Sequence, residues 1–159
     1  MALLLKFPPS LRRAEVSSQI FNMKITLKSS DATLDHYTAT NEKGHCMQLS
    51  GDGTAVGPME SVLMAAAGCS TIDIVMILKK MRQELQHIEV DVEGTRRDEI
   101  PRTYTGIHLH YKIYGDVKEK KAAQAVELSL EKYCSVSKML EQAAKITSSF
   151  EIIETLPDS

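Results

Sequence analysis

Two cysteines are the residues of this 159-residue chain whose type and surroundings favour chemistry. Cys69 lies in an apolar run that begins at Glu60, and Cys134 lies in the stretch 131–140; both stretches are typical of helices. A thiolate in an apolar pocket can take one oxygen from a peroxide and become a sulfenic acid, which condenses with a second thiol within reach. The pair therefore indicates thiol redox chemistry.

The residues around the two cysteines predict different acidities. Gly68 leaves space beside the Cys69 sulfur, and Asp73 follows Cys69 by one helical turn. A carboxylate there raises the thiol pKa unless a cation joins the pair. Cys134 precedes a predicted helix start, where free N–H groups and the helix dipole stabilise a thiolate. Electrostatics alone therefore predicts that Cys134 is the more acidic thiol.

Structural roles compete with these chemical ones. A buried cysteine in an apolar helix is commonly an inert small hydrophobe, which is the alternative for Cys69. Cys134 can simply fill the elbow between two helices. Cys46, on a strand beside His45, is expected to be a packing or surface residue.

Metal and nucleotide chemistry lack the usual signatures. His45 and Cys46 are adjacent and point to opposite strand faces, whereas His108 and His110 share a face without a third ligand. The chain has no C-x-x-C, no Gly-rich phosphate loop and no H-E-x-x-H. We expect no metal and no cofactor.

Composition narrows the class of protein. With 19 basic and 21 acidic residues the net charge is −2, which disfavours nucleic acid and a membrane surface as partners. No stretch of the sequence approaches a membrane span. Three scattered cysteines are too few for a secreted disulfide framework, so a reducing, cytoplasmic location is expected.

The first 22 residues differ from the rest and are treated as an extension, with one domain predicted over 23–159. Three explanations remain open for the extension: a weak organelle-targeting stretch, an arm that embraces a second copy, or sequence translated from an early start with Met23 as the true beginning. Disorder of this segment is also compatible with its composition.

Beyond Met23 the patterning predicts an α+β domain. Alternation of apolar and polar residues indicates strands, and longer apolar periodicity indicates helices. Ser135 is the expected N-cap of the last helix, and Gly44 suits a hairpin turn. The predicted strands are 23–28, 33–40, 45–50, 88–92, 104–114 and 146–156, and the predicted helices are 58–82, 117–133 and 135–145.

The helix over 58–82 is apolar in nearly every direction. Such a helix is expected to be buried all round, with its small residues allowing neighbours to come close. A monomer of this length rarely wraps a helix so completely, whereas a dimer can.

The two cysteine segments, PMESVLMAAAGCSTIDIVMILKK (58–80) and VELSLEKYCSVSKMLE (126–141), resemble those of the OsmC/Ohr superfamily. The resemblance covers about 23–155 and agrees with the order of strands and helices. It implies an intertwined α+β homodimer, with two long central helices packed against antiparallel sheets.

The resemblance also implies a function. In the family's peroxidases the cysteine matching Cys69 attacks the peroxide, and the one matching Cys134 resolves the sulfenic acid to a disulfide. A dithiol, such as a lipoylated protein, then reduces that disulfide. Organic hydroperoxides are the expected substrates because the pocket is apolar, with Met59, Met64 and the alanine run as walls.

This chain departs from the peroxidase pattern near the nucleophile. Those enzymes use an early-hairpin arginine, oriented by a glutamate ten residues before the first cysteine. Here the hairpin region has no arginine, and Glu60 precedes Cys69 by nine residues. We assign Cys69, Cys134 and Glu60 as catalytic candidates. The basic residues that can replace the missing arginine are Arg96, Arg97 and Arg102.

Two functions follow as expectations. The first is a thiol-dependent peroxidase that reduces organic hydroperoxides, with oxidative stress as its context. The second is a dimeric module with little turnover, which binds a small hydrophobic ligand or senses redox state. The missing arginine motivates the second.

Overall fold

A computed structural model of the chain describes residues 22–154, so the predicted extension lies outside the described residues except for its last residue. The strands are β1 (Ile25–Ser29), β2 (His36–Asn41), β3 (Cys46–Ser50), β4 (Glu84–Arg96), β5 (Tyr104–Asp116) and β6 (Lys145–Ile153). The helices are α1 (Pro58–Lys80), α2 (Glu119–Leu128) and α3 (Ser135–Leu140), with a π-helical turn at Ser129–Tyr133. The mixed α+β class is confirmed.

Contacts divide the chain into two compact units, one ending at Gln48 and the other beginning at Leu49. The first unit carries a sheet of order β1-β2-β3, in which β1 and β2 pair antiparallel with Ile25 opposite Asn41. Gly44 has φ of +85°, a left-handed conformation that glycine adopts without strain, so the predicted hairpin is confirmed. A single domain over 23–159 stays a prediction.

The second unit carries a sheet of order β4-β5-β6 with mixed pairing. Strands β4 and β5 are antiparallel, whereas β5 and β6 are parallel with Gly106 opposite Lys145. The expectation of purely antiparallel sheets is therefore wrong for this one pair. The chain leaves β5 through α2 and α3 before it returns as β6, and such a helical crossover permits parallel pairing.

The core of the second unit lies between β5 and α1. Alternate residues of β5 point inward and are 0–2% exposed, as the alternation of apolar and polar residues over 104–114 indicates: Ile107, Leu109, Tyr111 and Ile113. Helix α1 meets them with a stripe that repeats every fourth residue, namely Ala66, Ser70, Ile74 and Leu78. A spacing of four keeps side chains on one helical face, so this stripe sets the rotation of α1 about its axis.

The opposite face of α1 is apolar and uncovered within one chain. Met64, Ile72 and Met76 are 50–63% exposed, so burial all round is not found in the single chain. The most apolar 18-residue window of α1 has a mean hydropathy of 1.9, which by length and composition suffices to cross a membrane. The statement that no stretch approaches a membrane span is therefore wrong on this criterion, although core helices of water-soluble proteins also meet it.

The second predicted helix is interrupted. Regular α-helix ends at Leu128, and the π-helical turn carries the chain to Cys134, whose backbone is extended with φ of −69° and ψ of 98°. The N-cap of α3 is Cys134 rather than Ser135, because the Cys134 sulfur accepts a hydrogen bond from the Ser137 N–H. Helix α3 is also shorter than predicted and ends at Leu140.

We predict that Gly115→Ala destabilises the fold while Gly106→Ala, on the same strand, does not. Gly115 has φ of +121°, and a methyl group there would lie 3.0 Å from the Gln86 backbone nitrogen, besides clashing with the Glu84 carbonyl oxygen. At Gly106 the nearest atom would be 4.0 Å away. Chemical denaturation should show a loss of about 2 kcal/mol or more for Gly115→Ala. Equal stability of the two variants would contradict the prediction.

Candidate functional site

The fold brings Cys69, Asp73 and Cys134 together. The two sulfurs and one carboxylate oxygen of Asp73 all lie within 4.8 Å of one another. Cys69 and Asp73 share one face of α1 at a spacing of four residues, and Cys134 reaches them from the junction between the π-helical turn and α3. The neighbouring thiols that the sequence suggested are therefore present, and all three cysteines are reduced.

Cys134 occupies the inner side of the cluster and is 0% exposed. Its sulfur accepts hydrogen bonds from the Ser137 backbone N–H at 3.4 Å and from the Ser137 hydroxyl at 3.2 Å. Burial nevertheless raises the pKa of the Cys134 thiol, since the hydrogen bonds from Ser137 only partly offset it and the Cys69 side chain raises it further. The helix terminus therefore does not bring the pKa of the Cys134 thiol below its ordinary value, so the electrostatic reason for predicting Cys134 to be the more acidic thiol is wrong.

Cys69 lies on the accessible side of the cluster. It is partly exposed, and Gly68 beside it is exposed with no atom within 4 Å of where a methyl group would sit. The open space that the sequence predicted beside the sulfur is present within one chain. An incoming reagent therefore meets the Cys69 sulfur before that of Cys134.

Asp73 is the unusual member of the cluster. Its Oδ2 atom is buried and accepts no hydrogen bond from the described residues. Burial raises the pKa of this carboxyl group, and no basic side chain of residues 22–154 acts on it to lower that pKa. The carboxyl group is thus a weaker acid than an exposed aspartate, and it lies beside the two sulfurs.

A buried hydrogen-bond network lies under the cluster. The Tyr111 hydroxyl donates to the Ser70 hydroxyl at 2.8 Å, and Ser70 in turn donates to the Ala66 carbonyl at 2.8 Å. The Ser129 hydroxyl donates to the Ser70 carbonyl at 3.0 Å and joins the π-helical turn to α1. Sequence reasoning missed the two serines, although hydroxyls inside otherwise apolar helical segments were a signal for a buried network.

Glu60 lies apart from the cluster within one chain. Its carboxylate accepts a hydrogen bond from the Gly57 N–H at 2.7 Å and so closes the first turn of α1. Nine residues of helix separate it from Cys69 by about 13 Å along the axis. Glu60 also lines a cleft of about 370 Å³ with Met64 and Ala67, two of the predicted pocket walls. Its catalytic role stays a prediction.

The candidate arginines brace the loop between β4 and β5. Arg96 donates to the Arg102 carbonyl at 2.7 Å, Arg97 donates to the Pro101 carbonyl, and Arg102 donates to the Asp98 carbonyl. This end of β5 meets the start of α1, because the Tyr104 hydroxyl donates to the Met59 carbonyl at 2.8 Å. Tyr111 lies beside the cluster, and seven strand residues, or about 23 Å, separate it from Tyr104. The loop that carries the three arginines therefore lies at the end of β5 away from the cluster.

The remaining candidates lie elsewhere. Cys46 is exposed on β3. His108 and His110 both contact the Ser149 hydroxyl, at 2.9 Å and 2.8 Å, and His110 also contacts Glu151 at 3.2 Å. These contacts place the histidine pair on the outer face of the β5–β6 pairing.

Comparison with known proteins gives the family. The model of the OsmC-like protein family matches residues 51–149, which include the whole cluster. Protein YhfA of Escherichia coli K12 is 47% identical over 120 residues, which cover 74% of this chain and 90% of that protein. This chain belongs to the OsmC-like family.

Solved structures share the fold. A hypothetical protein from Aquifex aeolicus is 32% identical with a TM-score of 0.75, over 85% of this chain and 100% of that one. An organic hydroperoxide resistance protein OsmC from Legionella pneumophila is 16% identical with a TM-score of 0.64, over 83% of this chain and 98% of that one. The second likeness shows the common fold.

We predict that Tyr111→Phe changes the alkaline limb of the stability profile. Burial raises the pKa of Tyr111 to about 12, whereas an unfolded tyrosine titrates near 10. The stabilisation is therefore full below about pH 10 and is lost between about pH 10 and 12, amounting to about 2–3 kcal/mol. Tyr111→Phe should remove this part of the loss and, at neutral pH, cost about 1 kcal/mol for the missing hydrogen bond.

Denaturant unfolding across the alkaline range measures this difference. Tyr133→Phe, at a tyrosine that is 49% exposed, is the matched control and should leave the profile unchanged. Parallel profiles for wild type and Tyr111→Phe above pH 10 would refute the assignment.

Proposed function

We propose that this protein is a thiol-dependent peroxidase that reduces organic hydroperoxides to alcohols. The observation that carries the proposal is the proximity of the Cys69 and Cys134 sulfurs, one accessible and one buried. A partly exposed thiol suits the first encounter with peroxide, and a sheltered second thiol suits rapid disulfide formation afterwards. Membership of the OsmC-like family supports the same chemistry.

In the first step the Cys69 sulfur attacks the terminal oxygen of the hydroperoxide. The O–O bond breaks, Cys69 becomes a sulfenic acid, and the alkoxide leaves with a proton as the alcohol. Asp73 is placed to accept the thiol proton and to pass it to the alkoxide, because its carboxyl group lies in the cluster and its pKa is raised by burial. This route needs no cation beside the sulfur.

In the second step the Cys134 sulfur attacks the sulfenic acid. A Cys69–Cys134 disulfide forms and one water leaves, and a dithiol, such as a lipoylated protein, then returns both cysteines to thiols. A disulfide requires an S–S distance near 2 Å, so side chains that now lie within 4.8 Å must close by a rotation or a small shift of the short α3 helix.

The uncovered face of α1 supports a homodimer as the working form. Met64, Ile72 and Met76 expose a continuous apolar strip on the helix that carries Cys69. A second copy of the chain would remove this strip from water. We place the dimer in the cytoplasm, where thiol reductants are available.

The first prediction of this mechanism concerns the cysteines. One equivalent of an organic hydroperoxide should convert the reduced protein to the Cys69–Cys134 disulfide within seconds, as mapped by peptide mass spectrometry. Cys69→Ser should abolish turnover, and Cys134→Ser should leave a sulfenic acid that a dimedone probe traps.

Cys46→Ser is the control, because Cys46 is exposed and outside the cluster. It should retain full activity. Substantial peroxide reduction by the Cys69→Ser variant would overturn the mechanism.

A second candidate function is the binding of a small hydrophobic ligand without turnover. The observation that favours it is the lack of a basic side chain among residues 22–154 acting on the pKa of Cys134 or Asp73. An apolar cleft of about 260 Å³ adjoins Asp73, with Met76, Leu128 and Tyr133 among its walls.

If binding is the function, apolar ligands should raise the melting temperature of the reduced protein. A ligand present at about 100 times its Kd contributes about 2.7 kcal/mol of stability. Met76→Glu, in the wall of the cleft, should abolish the shift, whereas Met47→Glu, at a residue that does not line the cleft, should not. A screen without any shift, beside brisk peroxide turnover, would eliminate this candidate.

A further inference from the structure

We propose that the reduced Cys69, Asp73 and Cys134 form a binding site for a thiophilic divalent cation, with zinc as the best match. Cation binding is a function separate from peroxide reduction, because it requires only the reduced side chains. It supplies two sulfurs and one carboxylate oxygen, a donor set found at zinc centres that keep a fourth position for water or an added ligand.

The geometry fits a tetrahedral ion. Zinc binds sulfur at about 2.3 Å and carboxylate oxygen at about 2.0–2.2 Å, so ligand atoms around it lie about 3.5–3.8 Å apart. The three ligand atoms here already lie within 4.8 Å of one another. Closing that gap needs a contraction of about 1 Å, which side-chain rotation supplies without a change of fold.

The second observation is the buried oxygen of Asp73. Its Oδ2 is enclosed, and none of the described residues donates a hydrogen bond to it. A buried polar atom without a partner costs free energy, and such atoms in native proteins call for an explanation. A cation held between the Asp73 carboxylate and the two sulfurs would give this carboxylate the partner that it lacks among the described residues.

The surroundings of Cys134 suit a metal-bound thiolate. The backbone N–H and the hydroxyl of Ser137 both point at its sulfur, as outer-shell donors do around metal-bound thiolates. These donors orient the sulfur and compensate part of its negative charge. The complete burial of Cys134 also keeps competing water from that side of the ion.

Metal binding and peroxide reduction would use the same sulfurs, and this consequence rests on the proposed function. A bound ion slows attack by Cys69 on the peroxide, and oxidation of the loaded site releases the ion. The balance is two thiolates, one zinc ion, one hydroperoxide and two protons, which give one disulfide, one alcohol, one water and one free zinc ion.

The test uses the full chain, reduced and freed of metal with a chelator. We expect it to bind one zinc ion per chain in competition with a chromophoric chelator. Cobalt should give the thiolate-to-metal absorption and the intense visible bands of a tetrahedral site. Cys69→Ser should weaken zinc binding at least about 100-fold, and Asp73→Asn at least about 10-fold.

Cys46→Ser should bind zinc as the wild type does. Asp73→Asn preserves the shape of the side chain and removes the carboxylate ligand, so it tests the ligand without threatening the fold, which circular dichroism verifies. Equal zinc affinity of the wild type, Cys69→Ser and Asp73→Asn, or cobalt spectra without a thiolate band, would overturn the site. Peroxide turnover by metal-free protein is measured separately, so its failure leaves the zinc result standing.

Discussion

The packing of α1 on β5 is the constraint on which the site depends. Ala66, Ser70, Ile74 and Leu78 face the inward side chains of β5, and the buried Tyr111–Ser70 hydrogen bond joins the two elements at the centre of that contact. This contact sets the rotation of the helix, so Cys69 and Asp73 emerge on the side where Cys134 arrives. The Ser129 bond to the Ser70 carbonyl ties the π-helical turn to the same point. One small hydrogen-bond network under the cluster thus fixes the relative positions of three elements, namely α1, β5 and the π-helical turn.

Burial, rather than the helix dipole, dominates the electrostatics of the cluster. Cys134 has the favourable position of an N-cap and two hydrogen bonds from Ser137, yet its thiol pKa is raised because no water solvates the thiolate. Burial likewise raises the pKa of the Asp73 carboxyl group. Two of the three groups in the cluster, Cys134 and Asp73, are therefore weaker acids than usual, and a shared proton or cation would favour their ionised forms. Both proposals, a proton relay during peroxide reduction and a zinc site at rest, use the proximity of these three side chains.

The exposed apolar strip of α1 lies on the same helix as the cluster and is the surface on which the proposed dimer rests. The helix that presents Cys69 also presents Met64, Ile72 and Met76 to solvent within one chain. A second copy seated there would shelter the cluster from water and would narrow access to the partly exposed sulfur. Stability, oligomeric state and reactivity of the thiol are therefore expected to change together.

The sequence by itself determined most of the helices and strands and the inward residues of β5, because alternating and helical periodicity reflect burial directly. It identified Cys69 and Cys134 as the candidate reactive pair. It also indicated the family through the two cysteine segments. Tertiary structure decided the parallel β5–β6 pair, the π-helical turn, the capping role of Cys134 and the direction in which the pKa of Cys134 is shifted. Those features depend on atoms distant in the chain: Ser129 bonds to Ser70 across 59 positions, and Tyr111 to Ser70 across 41. Local patterns record how each segment meets solvent, but desolvation and hydrogen bonding at a buried site are set by which segments meet.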